Sequence, residues 1–112
     1  PLDVEKFEKE TLDKLGLIPE ITVRYRSTYF AHIFDSGYSA GYYAYTWAEV
    51  LDADAFQAFK ETGDVFNPEK ALAFRQYVLS KGGSEDAMKL YKTFRGKDPS
   101  IEPLLERRGL KE

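Results

Sequence analysis

Cysteine is absent from this 112-residue sequence. That excludes a disulfide framework, a thiolate ligand for zinc and a cysteine nucleophile, and it suits a reducing compartment, with the cytoplasm as the expected location. Histidine occurs once, as His32, so the chain cannot supply the two imidazoles of an HExxH zinc site. GxSxG, Walker A and GxGxxG patterns are missing too, and the isolated polypeptide offers no complete catalytic constellation. Nowhere do about 18 apolar residues run together, so no membrane span is expected. The first residues lack the basic and apolar regions of a signal peptide. Positive charge is also scarce: 16 Lys and Arg stand against 19 Asp and Glu, a net charge of −3, which carries no footprint for nucleic acid or anionic lipid. The length allows at most one domain with a modest core. Because the chain begins at Pro1 rather than Met and has a lone histidine, we expect it to be a piece of a longer protein.

Aromatic residues are abundant and clustered. Eight Tyr, eight Phe and one Trp are present, and more than half of them fall between Tyr25 and Trp47. From Ser27 to Phe59 there is no Lys or Arg, and the acids are Asp35, Glu49, Asp52 and Asp54. A long helix is expected from about Ala40 to Glu61, closing at Gly63. If helical geometry reaches back to Tyr38, then Tyr38, Tyr42, Tyr45 and Glu49 share one narrow arc, with Tyr43, Trp47, Val50 and Asp54 opposite. Both faces are aromatic, and a helix apolar nearly all round belongs inside a larger protein.

The remaining elements are well punctuated. A helix over about 4–15 is expected, with Asp3 as N-cap and Gly16 as stop. Residues 17–23 read as an extended connector interrupted by Pro19, and residues 24–34 as either extended or helical. Asp35-Ser36-Gly37-Tyr38-Ser39-Ala40-Gly41 has the composition of a loop whose backbone needs freedom or close approach. Asn67-Pro68-Glu69 opens a further helix that ends at Gly82-Gly83. Ser84 is expected to cap a helix through Phe94, with Gly96 closing it. Ser100 begins a last short helix, with Pro103 in its first turn and Gly109 as stop. The fold class expected is all-α, with about five helices.

Tyrosine hydroxyls beside a glycine loop suit hydrogen bonding to a developing oxyanion, since they are neutral at pH 7 and can be aimed. Pattern alone equally accommodates core aromatics whose hydroxyls reach the surface, and for His32 a structural histidine.

The run Arg24-Tyr25-Arg26-Ser27-Thr28-Tyr29-Phe30-Ala31-His32-Ile33-Phe34, followed by Gly37-Tyr38-Ser39-Ala40-Gly41-Tyr42-Tyr43-Ala44-Tyr45-Thr46-Trp47, resembles the C-terminal region of the thimet-oligopeptidase-like zinc metallopeptidases. The likeness continues through Leu51-Asp52-Ala53-Asp54-Ala55-Phe56, Gly82-Gly83-Ser84-Glu85-Asp86 and Phe94-Arg95-Gly96-Lys97-Asp98-Pro99 to Arg108-Gly109-Leu110. The phrasing is closest to the bacterial peptidyl-dipeptidase branch, with an oligopeptidase A-type endopeptidase as alternative. The resemblance implies a mostly helical hydrolase acting on short peptides, residues 1–112 being a C-terminal fragment of its catalytic region. It implies zinc in the full-length enzyme, held by an HExxH part that this chain lacks; the fragment alone is expected to bind no metal and to be inactive. It assigns oxyanion stabilisation to Tyr38 and Tyr45, and substrate binding to His32, Gly37 and Tyr42. Where the family commonly has a small residue and Gly-Gly before the tyrosine, this chain has Asp35-Ser36-Gly37. The expected partners are short peptides and the missing N-terminal part, with self-association through the aromatic face. A different reading is a non-enzymatic helical interaction module whose aromatic stripe docks a partner.

Overall fold

Helices account for all the regular structure of the described residues, which in this computed structural model are 1–111, with Ser36 described by its backbone alone. Five α-helices are present: α1 (Val4–Lys14), α2 (Ala44–Lys60), α3 (Pro68–Phe74), α4 (Ala87–Arg95) and α5 (Glu102–Arg107). They fall into two compact units, Pro1–Tyr43 and Ala44–Glu112.

In the first unit, Asp3 caps α1 by accepting from the backbone N–H of Lys6 at 3.1 Å, and Gly16 ends the segment at a φ of 77°. Both match the sequence expectation. Glu8 accepts from the backbone N–H of Ser27, and Glu5 pairs with Arg26, so α1 holds the start of the aromatic stretch. The hydrogen bonds from Ser27 keep the Glu8 carboxyl below its ordinary range. Residues 24–34, ambiguous by pattern, form two short 3-10 turns, Ser27–Tyr29 and Ala31–Ile33.

The second unit is built around α2. Val50 and Ala53 are buried with Leu104 of α5. On another side, Ala55 and Ala58 are buried with Tyr91 and Phe94 of α4, and Leu51, Phe59, Ala73, Phe74 and Val78 pack round them. Small side chains at 55 and 58 let α4 approach, while Phe74 and Phe94 meet edge to face at 5.2 Å. The remaining aromatic side chains of α2, including Tyr45, Trp47 and Phe56, are exposed.

Three boundaries correct the sequence reading. Helix α2 starts at Ala44, not Ala40, because Ala40 takes a left-handed φ of 53° and the N–H of Gly41 closes a turn onto the carbonyl of Tyr38 at 2.8 Å. Tyr38 and Tyr42 therefore do not share a helical arc with Tyr45. The cap of α4 is Asp86, which accepts from Lys89 N at 2.8 Å, whereas Ser84 lies in a 3-10 turn, Gly82–Ser84. After α3, capped by Asn67 as expected, the chain widens into a π-turn, Arg75–Leu79, which the apolar pattern does not distinguish from α.

Candidate functional site

The first unit gathers three of the tyrosine-loop candidates into one aromatic cluster. The His32 ring lies 6.0 Å from that of Tyr38, tilted by 36°, and 6.0 Å from that of Tyr42, nearly edge to face. Phe30 meets Tyr42 edge to face at 4.8 Å and stacks on Tyr25 at 4.9 Å. The imidazole thus meets both phenols, and Tyr42 joins it to the Phe30–Tyr25 stack.

Local backbone bonds make this arrangement. Asp35 N–H donates to the carbonyl of Ala31 at 2.7 Å and Phe34 N–H to the same oxygen at 3.0 Å, which folds the chain back after His32. A 3-10 turn, Ser36–Tyr38, then returns Tyr38 to the imidazole. The N–H of Ala40 reaches the carbonyl of Ile33 at 3.4 Å, closing the loop across its base. Within the loop, a Cβ added at Gly37 would meet nothing within 4 Å, and its φ is not left-handed. The chain itself does not demand glycine there. The open side of Gly37 is what a group approaching from outside would use.

Tyr45 belongs to the second unit, in the first turn of α2, where it is 49% exposed. Arg108 pairs with Glu49 one turn on, and Arg107 with Asp52 at 2.8 Å, so consecutive arginines at the end of α5 hold the exposed edge of the Tyr45-bearing half. Trp47 lines an apolar groove of about 600 Å³ with Leu51, Phe74, Val78, Met88 and Tyr91.

Sequence reasoning missed the most enclosed polar group. Asp54 is 1% exposed and accepts from the Tyr91 hydroxyl at 2.6 Å and from Arg95 Nε at 3.1 Å. Arg95 also clasps Glu61 through Nη1 at 2.6 Å and Nη2 at 2.8 Å. Those bonds keep Glu61 below the usual carboxylate range, and they raise the guanidinium further above its ordinary value, more than offsetting its desolvation. Burial, and then the Asp54 carboxylate, push the Tyr91 phenol well up. The available signal was Asp54 itself, an acid in a stretch, from Ser27 to Phe59, that holds no Lys or Arg.

Among the described residues, no three His, Asp or Glu side chains could hold a metal ion. The donor set of the described residues does not fit zinc. No helix among them is long and apolar enough to cross a membrane.

Comparison of the sequence with known proteins points to one class. Peptidase family M3 matches residues 2–110. The chain is 50% identical over 109 residues to the dipeptidyl carboxypeptidase of Escherichia coli, covering 96% of this chain and 16% of that protein. It is 52% identical over 82 residues to oligopeptidase A of E. coli, covering 73% and 12%. Saccharolysin of Saccharomyces cerevisiae is 40% identical over 81 residues, covering 72% and 11%. The chain belongs to peptidase family M3. It spans about 16% of the length of the dipeptidyl carboxypeptidases it matches.

Proposed function

We propose that this chain is the substrate-facing, C-terminal part of a cytoplasmic zinc peptidase that releases dipeptides from the C-termini of short peptides. The observation that carries the reading is the His32–Tyr38–Tyr42 cluster, because these residues lie in the stretch that resembles the family's substrate-side wall. The match to dipeptidyl carboxypeptidase also runs over 96% of the chain, against 73% for oligopeptidase A, which favours dipeptide release over internal cleavage. Zinc and its ligands belong to the part of the polypeptide outside this chain.

In this reading the residues act in sequence on the peptide. The His32 imidazole and the Tyr42 hydroxyl hydrogen-bond the substrate and hold its scissile carbonyl in place. Gly37 lets the backbone of the peptide come close. As water adds to the carbonyl carbon, the carbonyl oxygen gains negative charge and the hydroxyls of Tyr38 and Tyr45 donate to it, until the C–N bond breaks and the amine leaves with a proton from the water. A donor aimed at that charge strengthens only as the charge develops, so it raises kcat rather than affinity. Alone, the chain should self-associate through aromatic residues such as Tyr43, Trp47 and Phe56, which stand exposed.

The test is steady-state kinetics of Tyr45→Phe and Tyr38→Phe in the complete peptidase. Loss of one such donor costs on the order of 10²- to 10³-fold in kcat, with KM, melting temperature and zinc content expected to hold. Full kcat in Tyr45→Phe would end the oxyanion assignment. Mass analysis of products from a blocked peptide series separates dipeptide release from internal cleavage.

A further inference from the structure

Tyr45 leaves α2 on the side opposite its deepest anchor. Asp54 follows nine residues later, a rotation of about 900°, so the two side chains project about half a turn apart. The anchor is built for direction. Arg95, with only 4% of its side chain exposed, offers Nε and Nη2 to the two Asp54 oxygens at 3.1 and 3.4 Å. The same planar group takes Glu61 at 2.6 and 2.8 Å. Glu61 lies just past the end of α2, seven residues after Asp54, and its N–H still donates to the carbonyl of Gln57 at 3.0 Å, which keeps it near the same stripe. One rigid fork therefore grips two points on one line, and the Tyr91 hydroxyl adds a third bond to Asp54 at 2.6 Å.

Packing alone would fix this rotation less sharply. Val50, Leu51 and Phe59 also pack from α2, but Ala53, Ala55 and Ala58 are small, and contacts of small apolar side chains tolerate a roll that directional hydrogen bonds resist. The ion pairs nearer Tyr45, Glu49 with Arg108 and Asp52 with Arg107, are about half exposed and so hold weakly. A roll of about 10° would carry a tyrosine hydroxyl, roughly 8 Å from the helix axis, through about 1.4 Å. A misplacement of about 1 Å can cost on the order of 10²-fold in rate.

We infer that Asp54 and Arg95 are positioning residues for catalysis: by locking the rotation of α2 they aim the Tyr45 hydroxyl at the substrate oxygen. The inference rests on the assignment of Tyr45 made above. Its test is a double-mutant cycle in the complete peptidase, with Arg95→Lys, Asp54→Asn and Tyr45→Phe, singly and as Arg95→Lys/Tyr45→Phe. Kinetics are read per folded molecule, with folding followed by circular dichroism.

Arg95→Lys and Asp54→Asn should each lower kcat by about tenfold or more while KM holds. Adding Arg95→Lys to Tyr45→Phe should cost nothing further, because a missing hydroxyl cannot be misaimed. A slow Tyr45→Phe beside normal kcat in Arg95→Lys overturns this inference alone, as does a double variant whose loss is the product of the singles. Full kcat in Tyr45→Phe overturns both readings. Asp54→Asn keeps an oxygen to accept from Arg95 and decides the question should Arg95→Lys fail to fold: a loss of kcat with KM held supports the inference, and normal kcat overturns it.

Discussion

Tyr91 and Asp54 meet in the buried centre of the second unit, the phenol donating to Oδ2 at 2.6 Å across 37 residues of sequence. The bond joins α4 to α2 where water has little access, and it removes part of the cost of enclosing a carboxylate. Tyr91→Phe should therefore lower unfolding free energy by about 1.5–3 kcal/mol, the range for hydrogen bonds to charged groups. Asp54→Ala should cost more, about 3–5 kcal/mol, since it leaves the Arg95 guanidinium enclosed with one partner fewer. Denaturant melts followed by Trp47 emission check both, and equal effects would show that the enclosed charge is not what matters.

The same network predicts how stability depends on pH. Glu61 has a folded-state value below its ordinary 4.5, first through its hydrogen bonds from Arg95. Below about 4.5 the unfolded chain takes up the proton first, so this contribution is present above that value and is lost as pH falls through the folded one. Tyr91 is shifted upward from 10.0, first by burial. Above about pH 10 the unfolded chain loses its proton first, and stability declines as pH rises. Melts across pH should fall off at both ends. Glu61→Gln should flatten the acid side and Tyr91→Phe the alkaline side.

Local chemistry was legible where a single residue decides it. Asp3 and Asn67 announced their helices because their short side chains satisfy the first free N–H groups, and Gly96 ended α4 at a left-handed φ of 79°. The start of α2 was misread because nothing in Ala40-Gly41-Tyr42-Tyr43 forbids helix; tertiary closure of the loop onto Ile33 decides it. Ser84 and Asp86 are both capable caps, and only the packing of α4 selects between them. The bonds of Asp54 to Tyr91 and Arg95 span 37 and 41 residues, and such pairing is decided by how helices meet, not by spacing. Residue types alone made the tyrosines plausible donors; their separate roles came from resemblance. The structure adds that His32, Tyr38 and Tyr42 share one cluster.

Strain in the tyrosine loop sits at Ala40 rather than at a glycine. Its φ of 53° puts the methyl group against the backbone, a cost of about 1–2 kcal/mol for an L residue. Glycine adopts that conformation freely but gives up part of the gain through its greater freedom when unfolded. Ala40→Gly should therefore stabilise the first unit by about 0.5–1 kcal/mol. Hydrogen exchange of the Ala40 and Gly41 amides, which donate to Ile33 and Tyr38, would register the gain as slower exchange. Unchanged or faster exchange would show that the loop does not hold this conformation in solution.

Gly37 separates the needs of the fold from those of the substrate. A methyl group there meets no atom of this chain within 4 Å, and the backbone is not left-handed. Gly37→Ala should leave the melting of the 112-residue chain unchanged, or raise its stability by about 0.4–1 kcal/mol by restricting the unfolded chain. In the complete peptidase the outcome should differ, because the proposed role of the loop is to let the peptide backbone approach. An added methyl at a close contact costs about 1–3 kcal/mol, which is roughly 5- to 150-fold in affinity. KM should rise by a factor in that range while kcat falls less, since the tyrosine donors are untouched. A variant with unchanged melting and unchanged KM would place Gly37 away from the substrate and return the loop to a purely connecting role.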